Sequence, residues 1–202
     1  TSSIAMAVVQ QVPGELPELI AFERVKCRYL RDGIIVNLEA LIEAVDTCRR
    51  NIQSLVKNGI SNVNVNLCGV RLKKEHGTTS LELRRKQEIK HKHLLQINRE
   101  RLIEDDPEWS LVHSLPESYS VDDQVGLDSP IGLTGMTLTA NVQQIFAPQK
   151  NIDNLLYAIQ KCKMNVANIV ADPLASAESL LTEDEREMGI CILDFGGSVI
   201  QM

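Results

Sequence analysis

Aromatic residues are scarce in this 202-residue chain: one Trp, three Tyr and three Phe, 3% in all. Its core must therefore be aliphatic. Long apolar runs are missing as well. No stretch approaches the ~20 residues that a membrane-crossing helix needs. There is no signal peptide, so a cytoplasmic chain is expected. The five cysteines, Cys27, Cys48, Cys68, Cys162 and Cys191, show no CxxC spacing and sit inside apolar runs. That pattern reads as buried thiols in a reducing compartment, with neither disulfides nor zinc. No Ser-His-Asp or Cys-His set stands out, and the lone His76 and His113 read as structural. A net basic charge is also absent. With 21 basic and 27 acidic residues the balance is −6, which argues against wholesale nucleic-acid binding.

What is present is an ordinary globular composition, 44% hydrophobic and 24% charged, in a chain long enough for one or two domains. Pro13-Gly14-Glu15-Leu16-Pro17 is a turn between an apolar run after Thr1-Ser2-Ser3 and a second strand over Leu19–Leu30. Asn37–Lys57 is the clearest helix. Leu38, Leu41, Ile42, Val45, Ile52, Leu55 and Val56 give one apolar face, Asn37 caps the start, and Asn58-Gly59 is the stop. Val63, Val65 and Leu67 alternate with asparagines, as in a strand with one covered face.

Residues 73–101 break that rhythm. They carry nine basic side chains, among them Arg84, Arg85 and Lys86, and three histidines. A partial apolar face (Ile89, Leu94, Leu95, Ile97) suggests a long basic helix. Three readings compete: a solvated face, a nucleic-acid patch, and a partner surface. No aromatic residue interleaves the charges to stack on bases, which weighs against the second. His91 and His93 stand two apart and on a helix do not share a face, so they make no metal pair. Ser110–Val121 reads as a strand pair broken at Pro116, Asp128–Gly132 as a turn, and Met136–Ile145 as a strand. Ile152, Leu155, Leu156 and Ile159 line a helix. Val166, Ile169 and Val170 form a strand that Asp172-Pro173 ends, before a short helix over Ala175–Leu181.

The chain is organised around its last stretch, Gly189–Met202, GICILDFGGSVIQM. The run Ile190–Leu193 has the length of a strand buried on both faces, with Asp194 at its tip and Gly196-Gly197 allowing a turn that exposes N–H groups. An acid beside such a turn can hold a metal-phosphate, the acid through Mg²⁺ and the amides through phosphate oxygen.

Taken with the residues before it, ADPLASAESLLTEDEREMGICILDFGG (171–197) resembles the junction between the halves of actin-like ATPases, and most closely the FtsA family of bacterial cell division. The stretch HSLPESYSVDDQVGLDSPIGLTGMTLTANV (113–142) continues that resemblance, which covers most of the chain and weakens over residues 70–110.

The resemblance implies an α/β fold: an actin-like (ribonuclease H-like) core domain with an inserted FtsA-type α/β subdomain, stopping before most of the second domain. The expected division is 1–68 and 148–188 for the core, 69–147 for the insertion, and 189–202 for the first strand and phosphate loop of the second domain. The chain, which opens on Thr1, is thus expected to be a segment of a longer protein. The resemblance also implies ATP and Mg²⁺ as ligands. Thr1, Ser2 and Ser3 correspond to the exit of the first phosphate loop. Asp194, Gly196, Gly197 and Ser198 correspond to the second, with Asp194 toward the metal. Asp172 stands where actin relatives carry an acid near the attacking water. Its reading is a general base or, equally, a helix-capping aspartate before proline.

The match fails at Ser198, Val199 and Gln201, where the family has Gly, Thr and an acid, and this puts turnover in doubt: the ATPase is expected to be weak or absent. The implied function is an ATP-binding, self-assembling adaptor linking the FtsZ ring to the membrane. Arg84 and Arg85 would lie on the self-association surface, and the protein would sit in the cytoplasm at the inner face of the cell membrane. FtsZ docking and peripheral membrane contact fall outside this segment, and no nucleic acid is expected. The rival reading is a degenerate scaffold that polymerises through the insertion and hydrolyses nothing.

Overall fold

A computed structural model describes residues 3–31, 34–56, 59–100, 102, 106–195 and 200–202. The chain divides into two units, residues 1–71 with 150–202, and residues 72–149. In the first unit, β1 (Ser3–Gln10) and β2 (Glu18–Lys26) form an antiparallel hairpin. Its turn rests on Gly14, whose φ of 85° is a conformation that a side chain resists. The two-residue strands β3 (Leu30–Arg31) and β4 (Ile34–Ile35) follow. Helix α1 (Leu38–Gln53) starts as the sequence requires, with the Asn37 Oδ1 accepting the Ala40 N–H at 2.9 Å. It buries Leu41, Ala44, Val45, Cys48 and Ile52, one stripe at three- and four-residue spacing. The helix ends at Gln53, short of the expected Lys57; Lys57 and Asn58 lie outside the described residues. Strand β5 (Asn62–Leu67) turns its valines inward and its asparagines out. Gly69, buried and at φ 70°, lies just beyond it.

The second unit corrects the helical reading of the basic run. Lys73–Glu88 is one strand, β6, and only His91–Ile97 is helical, as α2. The physical reason lies in Thr79, Leu81 and Leu83, which are buried while Ser80, Glu82 and Arg84 between them are exposed, a period of two. Strands β7 (Trp109–Val121), β8 (Gln124–Leu127) and β9 (Thr134–Pro148) complete an antiparallel sheet in the order β6-β9-β7-β8. Pro116 does not break β7. Short β8 pairs only near Tyr119–Val121, so at Pro116 the strand has β9 on one side alone, and a register shift follows there. The sheet and α2 enclose Leu81, Leu83, Ile89, Ile97, Tyr119, Val121, Leu138, Ala140 and Val142. Fully buried Gln144 of β9 satisfies itself inside this unit. Its Oε1 accepts the Leu102 N–H at 2.9 Å, and its Nε2 donates to the Glu100 carbonyl at 2.6 Å.

Back in the first unit, α3 (Gln149–Lys161) leads to β10 (Asn165–Ala171), which pairs parallel with β5. Parallel strands need a long crossover, and here residues 72–149 and α3 supply it. The core of this unit gathers Tyr29, Leu41, Val45, Ala158, Ile159, Cys162 and Met164, with Ile4, Met6, Val63 and Val65 packed against them. Helix α4 (Asp172–Leu180) begins at Asp172-Pro173. Helix α5 (Glu183–Met188) is closed by a capping box between Thr182 and Glu185.

The expected buried strand over Ile190–Leu193 does not form. Ile190, Cys191 and Leu193 are exposed, and no described strand runs beside them. A strand buried on both faces exists only with neighbours along it, and apolar content alone supplies none. Instead β11 (Asp194–Phe195) and β12 (Ile200–Gln201) make a small antiparallel hairpin.

Candidate functional site

The end of β10 and the start of α4 put Asp172 where the parallel pair stops. The neighbouring β5 delivers Asn66, held in register opposite Val170, and just past that strand lies Cys68. From the other end of the chain the β11–β12 hairpin brings Gln201, whose register partner is Asp194. The Asp172 carboxylate, 9% exposed, has both oxygens engaged. Oδ1 accepts from Asn66 Nδ2, and Oδ2 accepts from Gln201 Nε2 at 2.8 Å. Burial and then the Asp172 carboxylate push the Cys68 thiol up to about 12, so it stays protonated and is no nucleophile.

Asp172 is not a side-chain cap. Ala171 holds the N-cap position of α4, and the acid sits in the first turn, where the helix dipole favours a negative charge.

Asp194 is exposed and lines a cavity of about 340 Å³ with Pro173, Ala177, Leu181, Ile192 and Gln201. This size lies within the range of small-molecule pockets, and the lining is mainly apolar with one acid. Among the described residues no three His, Cys, Asp or Glu side chains gather to hold a metal ion. Ser3 of the first expected phosphate loop accepts a hydrogen bond from Arg24 Nε at 2.9 Å. Thr1, Ser2, Gly196, Gly197 and Ser198 lie outside the described residues.

The sequence assigns no site role to Asn66 or Arg24, marks Cys68 only as a buried thiol, and shows Gln201 only as a departure from the family pattern. The alternating asparagines of β5 were the one signal pointing to Asn66.

Arg84 and Arg85 belong to the second unit. Pairing runs from Glu82↔Thr137 to Gln87↔Gly135, so residues 83–86 bulge opposite Met136 alone. Leu83 stays buried while Arg84, Arg85 and Lys86 point to solvent. Among the described residues no helix is long and apolar enough to cross a membrane.

Residues 69–146 match the family model described as the SHS2 domain inserted in FtsA. Across its length the chain is similar to the cell division protein FtsA of Pseudomonas aeruginosa, 28% identical over 97% of the chain and 47% of that protein. It is likewise similar to FtsA of Neisseria meningitidis, 25% identical over 98% of the chain and 48% of the relative. The chain spans about half the length of these relatives. Among solved structures it superposes on a chain of the PilM-PilN type IV pilus biogenesis complex with a TM-score of 0.57. That match is 16% identical and covers 89% of this chain and 47% of the other. The fold is thus an actin-like α/β core with the inserted domain.

Proposed function

We propose that this chain, which has an actin-like fold, is similar to FtsA along its length and matches the SHS2 model over residues 69–146, serves bacterial cell division as an adaptor that assembles through the inserted domain and binds ATP with Mg²⁺. The observation that carries the reading is the combination of the two units: an SHS2 domain lies in the β5–β10 crossover of a chain similar to FtsA from end to end. In this reading Asp194 faces the metal of Mg-ATP, and the metal neutralises phosphate charge. Ser3, which accepts from Arg24 Nε, is assigned in this reading to the exit of the first phosphate loop.

Turnover is slow or absent. Val199 lacks the hydroxyl that the family uses to hold phosphate. In this reading the protein works in the cytoplasm at the inner face of the membrane, with FtsZ as a partner.

The test is a fluorescent fusion of the full-length protein in its host, combined with depletion. The expected outcome is a band at the division site, and long undivided cells on depletion. Diffuse fluorescence with normal division would overturn the reading.

A further inference from the structure

Hairpin β11–β12 has two residues in each strand, too few to hold a position by its own pairing. Its described polar tie to the rest of the unit runs through Gln201. The Gln201 amide donates to Asp172 at 2.8 Å and lies 4.0 Å from the Cys68 sulfur. Asp172 in turn is fixed by Asn66, on a strand of the core sheet. Directly across the hairpin from Gln201 stands Asp194.

The tie has a definite polarity. Asp172 is a buried acceptor, so whatever occupies position 201 must donate, and an acid there would meet a second carboxylate. Glutamine supplies the donor, and a hydrogen bond to an ionised acceptor is among the stronger kinds.

We propose that Asp172 and Gln201 are positioning residues: the buried carboxylate of Asp172 anchors the hairpin through the Gln201 amide and so sets where the Asp194 carboxylate stands toward a metal-bound phosphate ligand. Asp172 then acts through Gln201 and touches no reacting atom. This rests on the Mg-ATP reading of Asp194 given above, and it assigns Gln201 a part of its own.

The experiment uses full-length protein, wild type and three variants: Gln201→Glu, Asp172→Asn, and the two combined. Mg-ATP affinity is measured by calorimetry, and amide hydrogen exchange at residues 194, 195, 200 and 201 is measured without nucleotide. Gln201→Glu sets two carboxylates face to face. It should weaken Mg-ATP by roughly tenfold or more, the scale of a lost charge-assisted hydrogen bond, and speed exchange across the hairpin.

In the combined variant the polarity is reversed. The new amide at position 172 still accepts from Asn66 and now donates to the new carboxylate at position 201. Affinity and exchange should return to within about threefold of wild type, a recovery that a general loss of stability does not produce. Should Gln201→Glu fail to fold, Gln201→Met removes the donor without adding charge and is read in the same way.

Unchanged affinity and exchange in the single variants, or a combined variant no better than the worse single one, would overturn the proposal. Asp194→Ala separates the two layers of the argument. If wild type and Asp194→Ala bind Mg-ATP alike, the nucleotide reading fails, while the exchange pattern alone still decides the anchor.

Discussion

His93 shows how one side chain takes a role that its residue type does not announce. The sequence reading asked only whether it pairs with His91 on a metal. In the structure its Nδ1 accepts the Lys90 N–H at 3.1 Å and closes the first turn of α2. That bond needs an unprotonated Nδ1. Burial, then the charges of Lys92 and Lys90, hold the His93 pKa below its ordinary 6.5. The unfolded chain therefore binds the proton more readily than the folded one. The stabilisation from neutral His93 is whole above about pH 6.5 and is lost as pH falls through the lower folded value. Half-buried His113 is shifted the same way by desolvation and adds to the same window. Urea midpoints measured from about pH 7 down to about pH 5 should fall. His93→Gln should flatten that slope in part and leave the share of His113. An identical slope in the variant would count against the capping role.

At the scale of elements, two patterns overlap in the basic run. Ile89, Leu94 and Ile97 follow a helical spacing, but they belong to seven-residue α2 and its entry. The residues before them alternate, and β9 is present to pair with them. Non-local pairing outweighs a weak local helical pattern, because a strand's stability comes from its neighbours. Gln144 illustrates the same dependence. It lies mid-strand in β9, fully buried, and bonds Leu102, Glu100 and Ser114 from segments distant in sequence. Gln144→Ala leaves the Leu102 N–H and the Glu100 carbonyl unpaired and opens a cavity. The expected loss is about 2–3 kcal/mol in urea unfolding, with faster exchange at the Leu102 amide. A loss under about 0.5 kcal/mol would mean that water replaces these bonds freely.

For the whole molecule the charge pattern bears on assembly. Arg84, Arg85 and Lys86 stand exposed on the β6 bulge of a protein whose total charge is −6. In the self-assembly reading this bulge steers an acidic face of a neighbouring copy, a heterologous contact that builds open filaments. Charges at a rim act mainly on association rate and are screened beyond about 10 Å at 0.1 M salt. Arg84→Glu with Arg85→Glu should therefore weaken sedimentable assembly of the full-length protein most at low salt, and little at high salt. Assembly that is indifferent to the reversal at every salt concentration would remove the bulge from the interface.

The sequence by itself determined the parts whose causes are local. The Asn37 cap and apolar stripe of α1, the Pro-Gly turn of the first hairpin, the alternation of β5 and the Asp172-Pro173 boundary all depend on residues within a few positions of one another. The likeness to FtsA was legible too, because it rests on contiguous motifs. Only the tertiary structure decided which side chains meet Asp172. Asn66 lies 106 residues from it and Gln201 lies 29 away. The parallel pairing of β5 with β10 and the register of the β11–β12 hairpin bring them together, and no periodicity encodes either. The same holds for Ile190–Leu193, whose apolar run has the composition of a buried strand, yet Ile190, Cys191 and Leu193 lie exposed. Burial is a property of what packs alongside, and a run of apolar residues states only what such a neighbour would cover.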